Sequence, residues 1–75
     1  MVLSKLPLNK KAVIISIGTT TATKSRLKKM GLTEGSEVML IRFSPFGDAV
    51  EIKLKGFYLA LRTTDADKIE VNKFE

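Results

Sequence analysis

Apolar positions along this 75-residue chain change period several times, and each change marks an element. Ala12 to Ile17 is densely apolar and stops at Gly18, the pattern of a buried strand. The threonine-rich stretch Thr19-Thr20-Thr21-Ala22-Thr23 follows, and then a helical spacing. Leu27 and Met30 lie three apart on one face, while Lys24, Lys28 and Lys29 fall largely elsewhere. Thr21 or Thr23 is suited to cap the helix by accepting a hydrogen bond from a first-turn N–H. Gly31 supplies the left-handed residue that ends the helix, and Leu32 then lands against Leu27, the contact of a Schellman stop. Lysines in the last turn suit the helix dipole. The expected helix is 22–30.

Gly35 marks the next turn, and Ser36 to Phe43 reads as a strand with Val38 and Leu40 on one face. Met39, Ile41 and Phe43 fall on the other face. Both faces are apolar, so each calls for a cover, from the Leu3/Leu6/Leu8 segment or from a partner. Ser44-Pro45-Phe46-Gly47-Asp48 is a loop built on turn residues. Val50, Ile52 and Leu54 alternate with Glu51, Lys53 and Lys55 as a half-buried strand. Lys55-Gly56 is a tight hairpin, and Phe57, Leu59 and Leu61 then alternate with Tyr58, Ala60 and Arg62. Thr64 to Asp67 fits a capped helical turn near 64–68, with Asp67 as its capping-box partner. Ile69 and Val71 form a last short strand. Phe43, Phe57 and Phe74 are expected in the core. The fold class is mainly β: a small, strongly bent five-stranded barrel of the SH3 type, with one short helix inserted after the first strand. Residues 1–75 form a single domain, and closure of the barrel is expected to limit exposed edges.

Composition narrows the chemistry. The chain has no cysteine and no histidine, which excludes disulfides, Cys/His metal sites and any catalytic dyad or triad built on those residues. Met30 and Met39 read as core or interface filler, and no cofactor is expected. The N-terminal residues lack the apolar stretch of a signal peptide, and the longest apolar runs, 12–15 and 38–41, are far too short to span a bilayer. A cytoplasmic location is the expectation. Net charge is +5, from 13 Lys+Arg against 8 Asp+Glu. Residues 1–33 carry Lys5, Lys10, Lys11, Lys24, Arg26, Lys28 and Lys29 and no acid, so one end or face is electropositive and favours an anionic partner.

Gly18 to Ser25 comes close to a phosphate-binding loop, G-x-x-x-x-G-K-S, but Thr23 replaces the second glycine. A β-branched residue there is poor at letting backbone N–H groups wrap phosphates, and the chain has no room for a parallel sheet. Asp48, Asp65 and Asp67 are the available paired carboxylates, and Asp48 reads as a cap for the N–H groups of its own loop rather than as a catalytic acid. Tyr58 and Phe46 are the plausible stacking platforms for a nucleic-acid-binding barrel, the alternative reading. A further alternative is a self-associating domain that buries Met39, Ile41 and Phe43 or an open strand edge.

The string Ser25-Arg26-Leu27-Lys28-Lys29-Met30-Gly31-Leu32-Thr33-Glu34-Gly35 resembles the R-L-x-x-M-G-L-x-x-G stretch of the ferrous iron transport protein A (FeoA) family. Ser44 to Asp48 resembles that family's A-P-[LF]-G-D-P loop, and Lys55-Gly56 with Leu59-Ala60-Leu61-Arg62 its closing hairpin. Ala66 with Ile69-Glu70-Val71 matches its ending. Ala49 departs from the pattern where the loop usually has a second proline, Asn9 where a glycine often precedes the first strand, and Asp65 where a glutamate is common.

The resemblance implies an SH3-like barrel serving as a non-enzymatic cytoplasmic accessory of ferrous iron uptake, with at most weak transition-metal binding. Its implied partner is the membrane ferrous iron transporter, through that protein's cytosolic nucleotide-hydrolysing domain. Residues that are basic or apolar without a core duty make the expected contact surface: Lys24, Arg26, Lys28 and Lys29 on the helix, and Pro45, Phe46, Gly47 and Asp48 in the loop. Arg26 is also placed to assist nucleotide hydrolysis in trans, as an arginine finger does. Leu27, Met30, Gly31, Leu32, Gly35, Gly56, Leu61 and Arg62 are assigned to the fold.

Overall fold

The computed structural model describes residues 1–73. Its elements run β1 (Lys11–Ile17), α1 (Thr21–Lys29), β2 (Glu37–Phe43), β3 (Ala49–Leu54), β4 (Phe57–Arg62), α2 (Thr63–Ala66) and β5 (Ile69–Lys73), after a 3-10 turn at Leu3–Lys5. The strands form one antiparallel sheet in the order β4-β3-β2-β1-β5. The molecule measures 29 × 27 × 24 Å. A flat sheet is only about 10 Å thick, so these strands must curl strongly around their own core, as the SH3-type expectation requires. Leu3, Leu6, Ile14, Leu27, Leu32, Leu40, Ile52 and Ile69 are among its buried side chains.

Two β-bulges produce the curl and correct the strand assignments made from the sequence. In β1 the pairing with β5 jumps from Ile14↔Val71 to Ser16↔Glu70, which leaves Ile15 as the extra residue. The core face therefore takes Ala12, Ile14 and Ile17, while Ile15 is 45% exposed. The apolar run 12–17 is thus a half-buried strand with a bulge, not a strand buried on both sides. In β2 the pairing jumps from Leu40↔Ile52 to Arg42↔Glu51, leaving Ile41 as the extra residue. Beyond it the faces exchange: Arg42 stands outside, opposite Glu51, and Phe43 shares the face of buried Val50. Phe43 thus does not lie beside Met39, and at the end of the barrel it stays 40% exposed.

The helix stop is as the sequence predicts. The Leu32 N–H donates to the Leu27 carbonyl at 2.9 Å and the Gly31 N–H to that of Lys28 at 3.0 Å, both bonds of a Schellman motif. Gly31 has φ +93°, and a Cβ there would stand 3.3 Å from the Phe57 ring. The start differs: the cap is Thr20, whose hydroxyl accepts from the Thr23 N–H at 3.3 Å. Capping one residue earlier begins the helix at Thr21, and it ends at Lys29 because Met30 is the C-cap ahead of Gly31. Asn9 adopts φ +63°, the left-handed turn for which a glycine is common.

Leu3 and Leu6 are buried in the core, but Leu8 is exposed and covers nothing. The turn near 64–68 forms as the single turn Thr63–Ala66, capped at its start by no side chain. Asp67 is not a capping-box partner there; it follows the turn and accepts a hydrogen bond from the Ser4 hydroxyl, tying the N-terminal turn to α2. Closure is incomplete, since β4 and β5 lie at the two edges of the sheet. Along β5, residues Met1 and Val2 take up the edge: Val2 bridges Glu70, and the Val71 N–H donates to the Met1 carbonyl at 2.8 Å. Phe57 is 40% exposed against the helix stop rather than part of the core, and Phe74 lies outside the described residues.

Candidate partner-binding surface

The open edge, β4, collects the candidate residues. Helix α1 lies beside it, anchored by fully buried Leu27 and partly buried Met30. Between helix and strand runs a cleft of about 330 Å³ lined by Arg26 and Met30 on α1, Leu59 to Arg62 on β4, and Asp65 on α2. Arg26, Lys28 and Lys29 are exposed, and none takes part in an ion pair among the described residues. Lys24 differs, because its ammonium lies 3.9 Å from Glu34 Oε2. Both side chains are half in solvent, so the pair holds Lys24 only weakly.

The loop after β2 is built from its own hydroxyls. The Ser44 hydroxyl donates to Asp48 Oδ1 at 2.6 Å and accepts from the Ala49 N–H at 3.1 Å. Asp48 therefore takes a hydroxyl rather than the loop N–H groups expected of it. The Thr63 hydroxyl donates to the Gly47 carbonyl at 2.6 Å, and the Thr63 N–H to that of Asp48 at 3.1 Å, so the start of α2 grips the loop. This frame holds out Phe46, which is 94% exposed. So exposed a side chain adds little to the packed core.

A second cleft, of about 540 Å³, lies between this loop and the outer face of the sheet, lined by Phe43, Pro45, Ala49, Glu51 and Ala60. Ala60 lines both clefts, so the loop and the helix flank the same stretch of β4. The structure thus brings the two groups of site candidates to opposite sides of one strand. Sequence reasoning missed the residues between them, Ala60 and Asp65, and assigned Arg62 to the fold alone. Alternation in β4 already places Ala60 and Arg62 outside, and that was the available signal. No group of three or more carboxylates gathers among the described residues to hold a metal ion.

The family model described as "FeoA domain" matches residues 1–73. The chain belongs to the FeoA domain family. It is 31% identical over 71 residues to an Fe(2+) transport protein A/Fe(2+) transporter FeoB fusion protein of Porphyromonas gingivalis. That match covers 95% of this chain but only 8% of the fusion protein. The FeoA protein of Chlorobium tepidum superposes with a TM-score of 0.95 at 32% identity, covering all of this chain and 71% of that one. FeoA of Stenotrophomonas maltophilia, solved with zinc, superposes with a TM-score of 0.77 at 30% identity, covering 96% and 89% of the two chains. That protein is described as a procaryotic SH3 domain protein and a candidate ferrous iron transport activating factor, and the five-stranded architecture found here is the same SH3-like fold.

Proposed function

We propose that this FeoA domain is a non-enzymatic accessory of ferrous iron transport that works in the cytoplasm by binding the cytosolic part of the membrane iron transporter. The fusion in Porphyromonas gingivalis carries the reading: a relative of this chain is there joined covalently to the transporter, an arrangement that suits two units that work in contact. The contact surface proposed is the β4 flank: Arg26, Lys28 and Lys29 on one side and Pro45-Phe46-Gly47-Asp48 on the other, with Lys24 at the margin. Its chemistry suits a partner surface carrying carboxylates around an apolar pocket that accepts Phe46.

Calorimetric titration of the protein into the cytosolic part of the cognate transporter, with and without nucleotide near 150 mM salt, tests this. Binding is expected, weakened about tenfold or more by Phe46→Ala and by Lys28→Glu. Absence of binding in every nucleotide state contradicts it.

A further inference from the structure

A second surface lies across the outer face of the sheet and reaches β4 at Tyr58. The register places Lys11 opposite Met39, Met39 opposite Lys53, and Lys53 opposite Tyr58. The neighbours of these residues along each strand, Ala12, Val38, Leu40, Ile52 and Leu54, are buried, so all four point outward in one row across four strands. At about 4.8 Å per strand the row is about 14 Å long. The Lys53 ammonium lies 5.8 Å from the centre of the Tyr58 ring, and Tyr58 is 58% exposed. Lys55 extends the row at the hairpin, where Lys11, Met39, Lys53 and Lys55 line a shallow depression of about 400 Å³. Glu37 is the one acid on its rim among the described residues. None of Lys11, Lys53 and Lys55 takes part in an ion pair among the described residues, whereas Arg42 on the same sheet is neutralised by Glu51 at 2.9 Å.

We propose that this row, Lys11–Met39–Lys53–Tyr58 with Lys55, is a docking face for the anionic phospholipid headgroups of a membrane surface. Charge complementarity selects an anionic partner, and the layout selects a membrane over a nucleic acid. Binding single strands calls for successive aromatic platforms along a groove, and among the described residues this face offers one ring, Tyr58. A membrane surface needs spaced lysines that reach separate phosphates, with amphipathic side chains at headgroup depth, and Tyr58, Met39 and the lysine stems supply these. The proposal rests on the transporter reading only in that the transporter places a bilayer within reach.

Co-sedimentation of the intact protein with vesicles tests it without the transporter present, so its failure and that of the transporter reading are separable. Vesicles of equal parts phosphatidylglycerol and phosphatidylethanolamine at 100 mM salt are expected to retain the protein, and phosphatidylcholine vesicles are not. Lys11→Gln/Lys53→Gln is expected to lower retention on the order of 20-fold. Lys5→Gln/Lys68→Gln, which removes the same charge from exposed residues outside the row, is expected to leave it within about threefold. Matching thermal melts of the two double variants show that neither has lost its fold. Equal loss in both, equal retention on the neutral vesicles, or no retention overturns the proposal. So does tighter binding of a single-stranded 20-mer that depends on Lys11 and Lys53, which reassigns the row to nucleic acid.

Discussion

The two edges of the sheet are finished in different ways. Strand β5 has its edge taken up by Met1 and Val2, and its inward residues Ile69 and Val71 are fully buried. Among the described residues strand β4 pairs only with β3; its inward Leu59 is half-buried, its outward Ala60 is exposed, and clefts run along both sides. A small antiparallel barrel without disulfides must protect its edges or use them. Here the N-terminal residues cover the edge of β5, while β4, flanked by a basic helix and a pinned loop, keeps an uncovered edge among the described residues.

Truncation at equivalent positions sharpens the contrast. Ile69→Ala on the sealed edge is expected to cost about 2 to 5 kcal/mol in chemical unfolding, and Leu59→Ala on the open edge about 1 to 2 kcal/mol. Equal losses would break the distinction. Gly31→Val comes next: the left-handed φ costs about 1 kcal/mol or more, and the added Cβ presses on Phe57 at 3.3 Å. An unchanged thermal melt would mean that the stop does not hold the end of α1 against β4. Thr63→Val removes the donor to the Gly47 carbonyl and is expected to cost about 1 kcal/mol, with faster amide exchange confined to 44–49. Phe46→Ala should change stability least of all, within about 0.5 kcal/mol, while weakening the transporter interaction.

Much of this was legible because it is local. A glycine after a run of lysines, with a leucine on each side of it at the right spacing, specifies the Leu27–Gly31–Leu32 stop whatever surrounds it. The clean alternation of β3 likewise needs no tertiary information. The bulges do not announce themselves, because an apolar residue squeezed out of register at Ile15 or Ile41 reads the same as one inside a fully buried strand. The missed parity change turns Phe43 onto the face of Val50, and its place at the end of the barrel leaves it half-exposed. Ser4 with Asp67 and Thr63 with Gly47 join residues 63 and 16 positions apart, pairings that only the curled sheet brings about. For the candidate surface, the helix and loop residues were readable as basic or apolar groups without a core duty. That they flank the same strand was not readable, because the strand order is a property of the whole fold.

The claim that matters most is that β4 and its flanks form the surface that meets the transporter. Amide chemical-shift mapping of the labelled protein, titrated with the cytosolic part of the cognate transporter, tests it directly. Perturbations concentrated at 24–31, 44–48 and 59–65, with β5 and the Lys11–Met39–Lys53–Tyr58 row unmoved, are the expected result. Perturbations centred on β5 or on that row would contradict it.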